Sequence, residues 1–111
     1  MIGHSVLHYL ASPYNDPDPV VMEERRIAAC RTAGEFIARG IAVFSPIAHN
    51  VAVMGESKTP PGWNHWQAFD LSILRVCGKM LVLRLPGWDQ SRGVQAEIQA
   101  ARDFGVPVEF I

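Results

Sequence analysis

Four short apolar runs, Val6 to Ser12, Ile41 to Phe44, Lys79 to Leu85 and Val106 to Phe110, are spread along the chain, and a segment of helical period lies between each run and the next. This spacing constrains the fold more than any other feature. Strands joined through a helix cannot close a tight hairpin, so they run parallel and connect by right-handed crossovers. The pattern predicts an α/β fold, a three-layer sandwich around a mostly parallel sheet of about four strands in the order 2-1-3-4. A chain of 111 residues accommodates this as a single domain, residues 1–111, of flavodoxin-like or Rossmann-like winding.

The segments between the runs follow from local chemistry. Pro13 breaks the first strand into a loop carrying Tyr14, Asn15 and Asp16. From Pro19 to Arg39 the period is helical, with Val20, Met22, Ile27, Cys30, Phe36 and Ile37 on the expected buried side. Glu23, Arg25, Arg26 and Arg31 fall on the wet side, and Gly40 closes the helix. Ser45-Pro46 ends the second strand. Ile47 to Asn64 contains Gly55, Pro60, Pro61 and Gly62 without sustained period, and reads as a long loop of the kind that carries function. A helix from Trp63 or Asn64 to Cys77 follows, with Trp66, Ile73, Leu74 and Cys77 on its apolar face and Asp70 in the middle of that face.

The most informative stretch is GWDQSRGVQAEIQAA, Gly87 to Ala101. It follows the third strand, which Pro86 and Gly87 terminate, and it opens a helix at Ser91, a good N-cap. Val94, Ile98 and Ala101 recur at i, i+4 and i+7, and at ~100° per residue Glu97 falls on the margin of this stripe with Gly93 one turn before it. In a doubly wound fold, ligands bind where strands end and helices begin. Backbone N–H groups around Ser91 to Gly93 would favour a phosphate or sugar there.

Composition narrows the partners. Net charge is −1 with 19% charged residues, so no field draws the chain to nucleic-acid polymers or anionic membranes. The cysteines, Cys30 and Cys77, stand apart without a CxxC and read as reduced core thiols. No basic region precedes a long apolar stretch and no run approaches the ~20 residues that span a bilayer, which makes a cytoplasmic location the expectation. His49 and His65 lack companions at metal-ligand spacing, while His4 and His8 sit before or within the first strand, so no metal is expected. GxGxxG, GxxxxGK[ST], GxSxG and HExxH are absent, against dinucleotide oxidoreduction, P-loop hydrolysis, serine hydrolysis and zinc proteolysis.

An acid on an apolar face needs a partner or a role, because burial disfavours its charge. Two readings of Asp70 and Glu97 stand side by side. In one, Asp70 accepts hydrogen bonds from the long loop or pairs with Arg75 or Arg84, and Glu97 is a half-exposed helix residue. In the other, the two acids work together on a glycosidic bond. Trp63, Trp66 and Trp88 would serve either as packing or as the wall of a base pocket.

Three segments, YLASPYN at Tyr9 to Asn15, D-x-x-x-L-x-x-C at Asp70 to Cys77 and LPGWDQSRGVQAEIQAA at Leu85 to Ala101, together resemble the nucleoside 2-deoxyribosyltransferase-like superfamily. They look closest to its small bacterial and phage branch, the DUF1937 type. The most specific part is S-x-G-x-x-x-E, met by Ser91, Gly93 and Glu97. The resemblance implies that Glu97 is the nucleophile and Asp70 the acid that orients the sugar or helps the base leave. It implies substrate binding by Ser91 and Gly93 at the 5′ end and by the Ser12, Pro13 and Tyr14 loop, with Trp88 and Asp89 also at the substrate. The implied activity is an N-glycosidase or N-deoxyribosyltransferase on 2′-deoxynucleosides or their 5′-monophosphates, with no cofactor and with homo-oligomers common. The alternative is a non-catalytic nucleotide or nucleotide-sugar binding module.

Overall fold

The computed structural model describes residues 6–111, so His4 lies outside the described residues. Four strands, β1 (His8–Ala11), β2 (Val43–Phe44), β3 (Lys79–Val82) and β4 (Val108–Phe110), form one sheet in the order β2-β1-β3-β4. All three pairings are parallel, with Tyr9 opposite Phe44, Ala11 opposite Val82, and Val82 opposite Phe110. The fold expected from strand and helix alternation is therefore the fold observed, and the sheet is parallel throughout.

The sheet is covered on both faces because its strands alternate. Tyr9, Ala11, Met80 and Val82 pack toward Leu74 of helix α3 (Trp63–Leu74) and toward Val94, Ile98 and Ala101 of helix α4 (Arg92–Phe104). Leu10 and Leu81 face the other way, onto Ala33 and Phe36 of helix α1 (Pro19–Ala38). Every residue of β1 and β3 after the first is buried. Such two-sided burial is what continuous apolar runs in central parallel strands serve.

The helices begin where short polar side chains satisfy their first N–H groups. Asp18 accepts from Val20 N at 2.9 Å ahead of Pro19, and Ser91 accepts from Val94 N at 3.2 Å. Gly105, at φ 74°, ends α4, and Val106 N then donates to Ala101 O at 2.8 Å. The last strand starts at Val108 rather than Val106, because Val106 still belongs to this helix stop. The third strand ends at Val82 rather than Leu85, with Leu83 N making one more bond to Ala11 O, and α3 ends at Leu74 rather than Cys77.

Two expectations are overturned. Ile47 to Asn64 is not a continuous loop, since Pro46–Glu56 forms helix α2. Ser45 caps it by accepting from Ala48 N at 3.1 Å, and Pro46 occupies its first turn, so the pair that stops β2 is also a helix start. The buried side of α1 also differs. Ala29 and Ala33 are its buried residues, whereas Val20 and Ile37 are exposed. Ala29 and Ala33 are small enough to sit close to the sheet, with Phe36 packed beside them. Cys30 is half-buried on that helix and Cys77 is buried; both are free thiols.

Arg25, expected on the wet side of α1, turns inward instead. Its Nη1 donates to the carbonyls of Tyr14 (3.3 Å) and Asn15 (2.9 Å), and its Nη2 donates to the carbonyl of Pro86 (3.0 Å). These carbonyls belong to the loops that leave β1 and β3, where the ladder has ended and acceptors lack strand partners. One guanidinium, with its fork of donors, ties the two loops together. Gly87 sits against it at φ 90°, and a Cβ there would fall 2.5 Å from Arg25 Nη2. Gly87→Ala is expected to lower stability by about 1–2 kcal/mol from the left-handed backbone alone, with displacement of the guanidinium in addition. Urea unfolding that leaves the midpoint unchanged would show that neither the turn nor the clamp is under this constraint.

Candidate active site

A cleft of about 390 Å³ opens beyond the C-terminal ends of β1 and β3. The end of β1 contributes Ser12, Tyr14 and Asn15, while α2 contributes Ile47, Asn50, Val51 and Met54. Trp63, Trp66 and Asp70 come from α3, and Ser91, Arg92, Gly93 and Glu97 from the start of α4. This is the switch point of the sheet, where β1 has β2 on one side and β3 on the other, and the connecting segments diverge to leave a crevice. The volume falls in the range of small-molecule sites, and the wall mixes apolar and aromatic side chains with polar and charged ones.

The two acids differ in their surroundings. Glu97 lies among Val94, Ile98, Ala100 and Ala101 on the buried stripe of α4 and is 4% exposed, so it is a core residue rather than a half-exposed one. Its Oε2 accepts a short hydrogen bond from the Tyr9 hydroxyl. Burial pushes its carboxyl up to about 8, opposed by the Tyr9 hydrogen bond and reinforced by the nearby charge of Asp70. Burial, and then the Glu97 charge, hold the Tyr9 phenol well above its ordinary value, so Tyr9 remains a donor. Asp70, 5% exposed, is raised by burial, while the Asn50 amide and His49 pull the other way. Asp70 pairs with neither Arg75 nor Arg84: Arg75 lies over the Phe104 ring, and Arg84 bonds the Ile111 carbonyl at 3.2 Å.

Each acid thus has one oxygen held and one free. Tyr9 occupies Glu97 Oε2, and Asn50 Nδ2 occupies Asp70 Oδ1 at 2.9 Å. Oε1 and Oδ2 have no partner among the described residues, and both side chains line the cleft. Beside them, the Ser12 hydroxyl is buried with no hydrogen-bond partner among the described residues. A buried orphan hydroxyl is costly unless a ligand or water completes it.

Above the acids stands the N-terminus of α4. Ser91 Oγ caps Val94 N, which leaves the N–H groups of Arg92 and Gly93 without an intrahelical acceptor. Arg92 reaches across to Asn64 Oδ1 at 3.1 Å and adds a positive charge at the same mouth. Oriented N–H groups, the helix dipole and a guanidinium together favour an anion or an electronegative oxygen. Gly93 leaves room between α4 and the Trp63 ring, where a Cβ would sit 3.6 Å from Trp63 Cε3. Among the described residues, no three His, Cys, Asp or Glu side chains gather in the manner of a metal site.

Of the residues singled out in the sequence, Glu97, Asp70, Ser12, Tyr14, Ser91 and Gly93 converge on this cleft. Pro13, Trp88 and Asp89 do not line it. Pro13 is fully buried, the Trp88 ring packs 5.6 Å from Phe110, and Asp89 is exposed on a short 3-10 turn at Trp88–Gln90. Two of the three tryptophans, Trp63 and Trp66, do form part of its wall. Sequence reading missed the contribution of α2. The signal was present as Ile47, Val51 and Met54 at i, i+4 and i+7 behind a Ser-Pro cap, an apolar stripe that faces a cleft instead of the core.

These features define a parallel α/β protein with a switch-point cleft built around two buried carboxyl groups. The chain belongs to the family described as Domain of unknown function (DUF1937), whose model matches residues 7–111. Comparison with curated proteins finds no match. No helix among the described residues is long and apolar enough to cross a membrane.

The raised carboxyl of Glu97 makes stability depend on pH. Its folded-state value of about 8 lies above the ordinary value of 4.5, so the protonated form favours the fold. That contribution is complete below pH 4.5 and is lost as pH rises through about 8. The melting temperature of wild type is therefore expected to fall relative to Glu97→Gln between pH 5 and pH 9. A constant difference between the two across that window would show that the buried carboxyl holds no proton.

Proposed function

We propose that the protein is an N-glycosidase or N-deoxyribosyltransferase acting on 2′-deoxynucleosides or their 5′-monophosphates, with Glu97 as nucleophile. The observation that carries this reading is a buried glutamate, fixed through one oxygen by Tyr9, that shares a cleft with a second carboxyl group. An isolated buried acid would be explained by packing alone. Two acids with one free oxygen each, beside an anion-favouring helix start and an aromatic wall, suit a base, a sugar and a 5′ group in that order.

In this reading the base lies against Trp63 and Trp66, and the 5′ group lies at the Arg92 and Gly93 N–H groups. The Arg92 charge favours a monophosphate there, and the Ser12 hydroxyl meets a sugar oxygen. Glu97 Oε1 attacks C1′ through an oxocarbenium-like transition state, the C1′–N bond breaks, and its electron pair leaves with the base. The base takes up the proton that the site holds. Water or a second base then attacks C1′, breaks the ester to Oε1 and restores the carboxyl.

The proton inventory fits this scheme. Burial keeps the proton on Glu97 up to about pH 8 and raises the Asp70 carboxyl as well. Attack requires that proton to leave Glu97, and departure of the base requires it to arrive at nitrogen, with Asp70 placed to pass it on. The proton given to the leaving base is returned to the site by the water or incoming base N–H that attacks C1′.

Incubation with a panel of deoxynucleosides and their 5′-monophosphates, with free base followed by chromatography, tests the reading. Base release is expected in wild type, and Glu97→Ala is expected to reduce it by on the order of 10⁴-fold or more while the fold persists. Release that survives Glu97→Ala would overturn it. A ligand that raises the melting temperature without being consumed would identify a binding module instead. The pH profile of kcat/KM is expected to be bell-shaped, falling above pH about 8 as Glu97 loses its proton and falling in acid as Asp70 also protonates. A profile that keeps rising beyond pH 9 would exclude the shared-proton scheme.

A further inference from the structure

Helix α2 places two consecutive polar residues behind Asp70. Asn50 is 4% exposed, and its Nδ2 lies 2.9 Å from Asp70 Oδ1 while its Oδ1 lies 2.8 Å from His49 Nδ1. A carboxylate accepts and never donates, so the NH₂ end of the amide must face Asp70. The carbonyl end then faces His49, and His49 Nδ1 must carry a hydrogen. The imidazole is held for this purpose between rings, stacked on Phe69 at 5.2 Å and 17° and tilted against Phe44 at 5.6 Å. A buried amide with both ends engaged in this way has one orientation.

We propose that Asn50, braced by His49, is a positioning residue that holds Asp70 Oδ1 and leaves Oδ2 as the oxygen through which Asp70 exchanges a proton in the cleft. The proposal rests on the reading of Asp70 as the group that passes the proton to the leaving base. Asn50 touches no reacting atom in that scheme and acts through Asp70. The ionisable groups that face Asp70 are Glu97 from α4, Tyr9 from β1 and His49 from α2. Burial opposes the Asp70 charge, and the Asn50 hydrogen bond, with His49 behind it, works in the other direction to keep this carboxyl available as an acceptor.

Two variants test this, Asn50→Leu, which keeps the volume and removes the donor, and His49→Phe, which keeps the ring stack and removes the Nδ1 hydrogen. The Asp70 side-chain carbon is followed by ¹³C NMR against pH in each. In Asn50→Leu its midpoint is expected to rise by about one pH unit, the effect of losing a hydrogen bond to a charged group, and in His49→Phe to rise by less. On the substrate found to release base, Asn50→Leu is expected to lose kcat by on the order of 10-fold to 100-fold with KM little changed, and to move the acid limb of the pH profile upward. An Asp70 midpoint unmoved in both variants would overturn the proposal, and His49→Phe alone decides it if Asn50→Leu does not fold. Base release insensitive to Glu97→Ala would instead overturn the underlying reading of the cleft, because the NMR midpoint reports on Asn50 whether or not the chain is an enzyme.

Discussion

The parallel pairing of β1 with β3 is the constraint on which the rest of this molecule depends. With β2 on the other side of β1, the connections leaving the two central strands must run in opposite directions, and a crevice opens where they part. Everything chemically interesting is suspended around that crevice. Tyr9 belongs to β1 itself, Ser12 and Tyr14 follow it directly, and the α4 start follows β3 through residues 83–91. Because both strands are buried on two faces, their ends are fixed by the core, and groups attached to them inherit that rigidity.

The loops at the crevice are held by a different device. Arg25 reaches from α1 to carbonyls on both, so the sheet ends are tied together by one side chain from the opposite layer. Gly87 is required both for its turn and for the space the guanidinium occupies. At the cleft itself, Arg92 of α4 bonds Asn64 of α3, and both line it.

Inside, low polarity decides the chemistry. Glu97 would be an ordinary surface acid two positions away on the helix, but among Val94, Ile98 and Ala101 its charge is expensive, and it keeps its proton to about pH 8. Asp70 has the same problem and a different solution, since Asn50 donates to it. One acid is hydrogen-bonded by a phenol and the other by a buttressed amide, so the two carboxyl groups differ in environment.

By itself, the sequence determined the architecture and the identity of the two acids. Strand length, apolar runs, Ser91 as a cap and the phase of Glu97 and Asp70 are local properties, written in spacing and in the conformational preferences of proline and glycine. It did not settle the faces. Glu97 looked marginal and is central, Arg25 looked wet and is a clamp, and Trp88 looked like pocket and is packed on Phe110. Helix α2 escaped notice because Gly55, Pro60, Pro61 and Gly62 punctuate the stretch from Ile47 to Asn64 and mask the apolar period at its start. Which acid has a phenol and which an amide, and which loops one arginine can tie, depend on residues far apart in the chain. Tyr9 and Glu97 are 88 positions apart and Asn50 and Asp70 are 20 apart. Such contacts have no period to read, because only the packing of one layer on another brings them within a bond length.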